Sequence, residues 1–273
     1  MAFSFKPLLL STLVLASAST QAHRLWILPD VTVLSGDNPA VTFDAAVSNS
    51  IFNFDHVALR TDGIRISAPD GSAVEPENVA KGKFRSVFDL SLDQPGSYRV
   101  FMTMQGMNAF WKDANGKRHM FPGRGKTASA EEILNAIPKD QEVRIVESYR
   151  RAETFVTAGA PSDNVQRIRG EGVELKASTH PNDLYAGESA QFALMLNGEP
   201  LKGADITLIK EGTRYRDSQN EIQLTSDKNG AFSINWQGAG RYFMEAEYKD
   251  ANATKPATER SVSYTAVFEV LPD

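Results

Sequence analysis

The chain is 273 residues long, carries a formal net charge of −5 and contains no cysteine. Disulfides, thiolate metal clusters and a lipidated N-terminal cysteine are thereby excluded, so the chain must be held by its own core. Its charges are scattered and mildly acidic in sum, which gives no electrostatic footprint for nucleic acid.

Residues 1–22 place Lys6 before an apolar run from Pro7 to Leu15, followed by a small-residue tail from Ala16 to Ala22. That is the layout of a secretory signal peptide, and the apolar run is too short to span a bilayer. Thr20-Gln21-Ala22 offers small residues at −3 and −1 of a cut that would make His23 the first residue. Ala16-Ser17-Ala18 offers the same pattern and would leave four more residues in front of it. No later stretch is apolar for long enough to form a membrane helix. The expected location is the periplasm of a Gram-negative cell.

From Trp26 onward, short runs with period-two alternation dominate. Val41, Phe43, Ala45 and Val47 share one face, as do Phe84, Ser86, Phe88, Leu90 and Leu92, and then Tyr98, Val100, Met102 and Met104. Turn residues at Ser35–Pro39, Ala68–Gly71 and Gln94–Gly96 separate them, which predicts an antiparallel sandwich or barrel. Asn115-Gly116, between Trp111 and Met120, predicts a hairpin. Ser129-Ala130-Glu131-Glu132 is a capping box that opens a short helix through Ile133, Leu134 and Ile137, stopped by Pro138. Strands are expected again at Val143–Val146 and at Thr154–Thr157. The pattern then loosens over Gly159–Asn164, and Arg169–Gly172 reads as a linker.

Seven further strands are expected at Val173–Ser178, Ala190–Leu196, Asp205–Lys210, Glu221–Thr225, Ala231–Trp236, Arg241–Tyr248 and Ser263–Val270. That count in so short a stretch is the signature of an immunoglobulin-like sandwich. The expected fold is all-β: two antiparallel β-sandwich domains over residues 23–165 and 172–273, the second immunoglobulin-like, with one short helix in the first. A faint echo links the halves, because Gly96-Ser97-Tyr98 and Gly240-Arg241-Tyr242 each place Gly-x-Tyr just inside a late strand.

The histidines are four: His23, His56, His119 and His180. If the chain is cut before His23, that residue offers an α-amine and an imidazole to the same metal ion. Freeing an amine of pKa about 8 at pH 7 costs only about 1.4 kcal/mol, little beside the ~10–16 kcal/mol apparent for a structural zinc site. His56 ends the loop Ile51-Phe52-Asn53-Phe54-Asp55-His56, which can supply a ligand with an apolar wall. His180 sits in the rigid turn His180-Pro181-Asn182-Asp183. His119 follows Lys117-Arg118 on a hairpin and reads as solvated. Each has a plain reading beside the chemical one: His23 as a residue flanking a cut, His56 as a loop end, His180 as part of a turn.

Other constellations carry less. Arg214-Tyr215-Arg216-Asp217 suits an anion or a partner surface, or simply an exposed loop with local ion pairs. Asp227-Lys228-Asn229-Gly230 lacks the downstream glutamate of a calcium loop and reads as a turn. No nucleophile elbow, zinc-protease helix, phosphate loop or dinucleotide fingerprint occurs, so no enzyme is expected.

Several of these stretches together resemble a family of exported two-domain β proteins of unknown function, commonly described as periplasmic components associated with nickel or cobalt uptake. The resemblance is carried by Ala22–Pro29, Val47–Asn49 through His56, Glu153–Pro161, Gly172–Leu175, His180–Asp183, Arg214–Asp217 and Ser263–Pro272. It implies metal handling, or, through related proteins near extracytosolic flavin and iron-reduction systems, a redox-linked metal. For sites it implies His23, His56 and His180 alone.

The expectation is therefore a non-enzymatic periplasmic protein that binds a transition metal (nickel, cobalt or copper), with His23 and His56 completing one site. His180 would join from the second domain, and binding would fix the angle between the domains. A nitrogen and oxygen ligand set without sulfur favours those metals over zinc-thiolate chemistry. Its partner would be a membrane metal transporter or reductase component. The rival expectation is a module without metal that presents loops such as Arg214–Asp217 to such a partner.

Overall fold

The computed structural model describes residues 23–123 and 125–273; the expected signal segment, residues 1–22, lies outside them. The first half comprises β1 (Arg24–Pro29), β2 (Val33–Leu34), β3 (Ala40–Ser48), β4 (Val57–Ala58), β5 (Ile64–Ser67) and β6 (Ala73–Val74). It continues with β7 (Glu77–Lys81), β8 (Ser86–Ser91), β9 (Gly96–Lys112), β10 (Arg118–Phe121), α1 (Ala130–Ala136) and β11 (Val143–Ala158). The second half has β12 (Val173–Ala177), β13 (Ser189–Leu196), β14 (Glu199–Pro200), β15 (Asp205–Lys210), β16 (Ile222–Thr225), β17 (Ala231–Asn235), β18 (Gly240–Asp250) and β19 (Glu259–Val270). The fold is all-β with mostly antiparallel pairing, and α1 is its one α-helix among the described residues.

Alternation in the sequence becomes two cores. Val41, Phe43 and Ala45 of β3 meet Tyr98, Val100 and Met102 of β9 in the first. Phe192 and Leu194 of β13 meet Tyr242, Met244 and Phe268 of β18 and β19 in the second. Met104 departs from the expected core face and is 40% exposed, because β5 pairs with β9 only as far as Met102. The Gly-x-Tyr echo is structural. The Tyr98 hydroxyl donates to the Gln94 carbonyl (3.1 Å) and that of Tyr242 donates to the Gly238 carbonyl (2.8 Å). Each tyrosine thus closes the corner four residues before it.

The halves share a sheet. The strands expected separately at Val143–Val146 and Thr154–Thr157 are the two ends of β11, which is antiparallel to β9 throughout and parallel to β19 from Val146 to Thr154. No strand is expected over its charged middle, Glu147–Glu153, yet Arg151 and Glu153 are buried. Arg151 Nε donates to Glu153 (2.7 Å), the Tyr264 hydroxyl donates to the same carboxylate (2.5 Å), and Arg99 Nε lies 3.8 Å from it. The Phe101 ring lies beneath the guanidinium of Arg151 at 4.4 Å.

The expected linker closes over this cluster. The Glu174 carboxylate accepts the N–H groups of Arg169 (2.9 Å), Gly170 (2.7 Å) and Glu171 (3.2 Å), and Arg99 donates to the Val165 carbonyl. Gly172, at φ +63°, lies so close to Gln105 that a Cβ would stand 2.1 Å from its Nε2.

Burial pushes the Glu153 carboxyl up, but Arg151, Arg99 and its hydrogen-bond donors outweigh burial and hold it below the ordinary 4.5. A depressed carboxylate contributes stability above its unfolded value and loses that contribution as pH falls through the lower folded one. Glu153→Gln leaves two buried guanidinium groups uncompensated and should cost about 3–5 kcal/mol. Urea unfolding at pH 7 checks the loss. Repeating it below pH 4.5 should show a smaller further loss in the variant than in the parent.

Candidate functional site

Strand β1 is apolar on both faces. Leu25 and Ile27 point into the first core, while Trp26 and Leu28 join Ala46, Ile51, Ile209, Phe243 and Val267 in a separate cluster between the halves. His23 stands one residue before this strand, where pairing with β3 begins at Arg24↔Ser48. His56 ends the loop that leaves β3 and returns in β4. The two imidazoles are stacked with centroids 3.9 Å apart and planes 18° from parallel, and both residues are exposed.

The loop that carries His56 is fixed at several points. Trp26 Nε1 donates to Ser48 Oγ (2.8 Å), and Ser48 Oγ donates to the Ser50 carbonyl (2.6 Å). The Asp55 carboxylate accepts the Asn49 N–H (2.8 Å) and so ties the two ends of the loop together. Phe52 and Phe54 each lie 5.6 Å from the Trp26 ring. Phe52 holds φ +57°, a conformation a bulky residue keeps only when its surroundings over-determine it. Arg85 covers Phe54 from outside at 4.6 Å.

The two rings are in contact face to face, and because an imidazole lone pair lies in the ring plane, one of these exposed rings must turn before both nitrogens can aim at one ion. Metal–nitrogen bonds of about 2.0–2.1 Å set an upper limit of about 4 Å between two nitrogens on one ion; the 3.9 Å between ring centroids brings the two side chains close but is not itself that distance. No cluster of three or more His, Cys, Asp or Glu side chains suited to a metal occurs among the described residues. A metal at this place would have at most two side-chain nitrogens, with the His23 amine a third donor only in a chain cut before it.

His180 is placed elsewhere, with both ring nitrogens engaged. Nε2 lies 3.0 Å from Ser97 Oγ and 3.3 Å from the Ser162 carbonyl, while Nδ1 accepts the Asn182 N–H (3.0 Å). It thus holds the turn before β13 against the start of β9. His119 is paired with Asp113 at 2.8 Å and stacked on Trp111 at 5.5 Å, which ties the β9–β10 hairpin rather than leaving the ring solvated.

In the Arg214–Asp217 loop, Arg216 is spent internally. It donates to the carbonyls of Glu211 (3.0 Å), Lys210 (2.7 Å) and Gln219 (3.3 Å). Tyr215 is left 88% exposed. Arg24 and Trp26 have no role at a site in the sequence reading, although both lie in the stretch that carries the resemblance. The available signal was that Trp26 and Leu28 are apolar on the face opposite Leu25 and Ile27, the mark of a strand buried on both sides.

A family model described as "Domain of unknown function (DUF4198)" matches residues 20–250. Among solved structures, the D0-D1 domain of intimin is similar at 13% identity and TM-score 0.23, covering 90% of this chain and 97% of that one. A DUF4785 family protein from Legionella pneumophila is similar at 9% identity and TM-score 0.25, covering 81% and 50% of the two chains. A DUF3823 family protein from Bacteroides uniformis is similar at 13% identity and TM-score 0.25, covering 80% and 92%. No curated protein matches the chain significantly. No helix among the described residues is long and apolar enough to cross a membrane.

Burial lowers the His180 pKa against the opposing pull of the Ser162 carbonyl, Asp183 and Asp163. The unfolded chain then takes up the proton first, so this stability is complete above 6.5 and is lost as pH falls below it. His180→Gln should therefore flatten the fall in urea midpoint between about pH 7.5 and 5.5.

Proposed function

We propose that this chain, which belongs to the DUF4198 family, is an exported accessory protein that binds one transition-metal ion through His23 and His56. The observation that carries the reading is the pair of exposed imidazoles stacked at 3.9 Å, brought together from the start of β1 and the end of a braced loop. Cleavage after Ala22 would add the α-amine and make His23 bidentate. Three nitrogens without a thiolate suit copper(II), nickel or cobalt. The ion is cargo in this reading, passed to or from a membrane transporter or reductase component in the periplasm.

Exposure at the site suits transfer better than storage. A structural metal is enclosed by protein ligands, whereas a handling site must keep open positions for water or an acceptor. A second reading, docking without a metal, is favoured by Tyr215, whose ring stands 88% exposed on a loop bonded to Arg24 through Gln219.

Melting curves separate the two. Protein beginning at His23, with copper(II) or nickel at a hundred times Kd, should gain about 2.7 kcal/mol, or roughly 5–10 °C in Tm. His23→Ala and His56→Ala should each remove most of that shift. Protein that retains Ala22 in front of His23 should bind more weakly, because its α-amine is locked in a peptide bond. Equal shifts with and without Ala22 would remove the amine from the site, and no shift in any form would leave the docking reading.

A further inference from the structure

We propose that Arg24 is the positioning residue of the histidine pair, and that the second half of the molecule, which contributes no ligand, sets the geometry of the site through it. The inference rests on the metal reading of His23 and His56 given above.

The argument starts from chain ends. A terminal residue frays unless something ties it down, and His23 precedes the first paired residue of β1. Its position is therefore inherited from Arg24. The Arg24 side chain lies on the face of β1 that also carries Trp26 and Leu28, turned toward the second half. Nη1 donates to Gln219 Oε1 (2.6 Å), Nε is 3.5 Å from Glu245 Oε2 on β18, and the guanidinium carbon is 6.0 Å from the Phe243 ring centroid. The Arg24 and Glu245 side chains are only 11% and 16% exposed, so the pair is shielded from the screening that weakens surface ion pairs.

His56 reaches the same support by another path. Its loop packs through Phe52 and Phe54 on Trp26, and Trp26 shares a cluster with Phe243. Arg24 contacts that same Phe243 ring. Both imidazoles are thus referred to one patch of β18, although both belong to the first half. Such outer contacts fix the direction of a ligand, and losing one typically costs roughly ten- to a hundredfold in metal affinity.

The guanidinium is needed for its shape. It reaches Gln219 and Glu245 at once with two nitrogens of a planar fork, whereas a lysine ammonium is a point charge and serves one. Arg24→Lys should therefore behave like Arg24→Ala rather than like the parent.

The test titrates copper(II) into protein beginning at His23, as parent, Arg24→Ala, Arg24→Lys and Gln219→Ala. Each binding curve is accompanied by the metal-free Tm and the copper(II) electron paramagnetic resonance spectrum. Weaker binding by roughly ten- to a hundredfold, an altered copper spectrum and a metal-free Tm close to the parent's would support the positioning role. Gln219→Ala removes one arm of the clamp outside the cluster, and should show a smaller change in the same direction if Arg24→Ala does not fold. Parent-like affinity and spectrum in the folded Arg24 variants, or in Gln219→Ala if they do not fold, would overturn the inference while leaving the metal reading intact. A parent that binds no copper would overturn the metal reading and this inference with it.

Discussion

The histidine pair depends on β1 being buried on both of its faces. Leu25 and Ile27 are claimed by the first core, Trp26 and Leu28 by the cluster between the halves. A strand in that position has no freedom to slip, because a shift of one residue would exchange the two apolar sets and drive Arg24 into the first core. Register is therefore fixed from both sides, and the residue just ahead of the strand comes to lie against the loop that ends in His56. Trp26 is the shared element. It caps the cluster below and gives Phe52 and Phe54 a surface to pack on.

The junction between the halves is stiff for a separate reason. β11 is a single strand that pairs with β9 on one side and β19 on the other, so backbone hydrogen bonds run continuously across the molecule. In its middle segment Arg151 and Glu153 are paired with each other, Tyr264 donates to the same carboxylate, and Arg99 beside them donates to Val165 in the segment that leads into β12. A buried ion pair of this kind adds little net stability, but breaking it is costly. It makes the sheet intolerant of any arrangement that would separate Arg151 from Glu153. The binding proposed at His23 and His56 would thus act on a preformed frame. The expectation that His180 would join the site and so fix the angle between the domains has no counterpart here, because its ring nitrogens are bonded to Ser97, Ser162 and Asn182.

Much of the fold was legible in the sequence because burial there follows period two. All seven strands expected after residue 172 occur, and the capping box at Ser129 forms as its residues imply. The middle of β11 was not legible. A run such as Glu147–Glu153 looks solvated until its partners on β9 and β19 are known, and those partners are far away in sequence. The site was half legible. Composition singled out the histidines, and the sequence showed that His23 adjoins a possible cut. Which of them meet is a matter of register and loop closure, to which local pattern is blind, and so the engagement of His180 with Ser97 and Asn182 was hidden. The role of Arg24 was hidden for the same reason, since Gln219 and Glu245 lie about two hundred residues away along the chain.

The central claim is that His23 and His56 form one metal site that is completed when the chain begins at His23. A native mass spectrum of untagged protein taken from the periplasm tests it most directly, because it reads the processed N-terminus and any bound ion together. The account predicts a mass that starts at His23 and carries one transition-metal ion. A mass that starts at Ser19, with no metal taken up even after incubation with copper(II) and nickel, would contradict it.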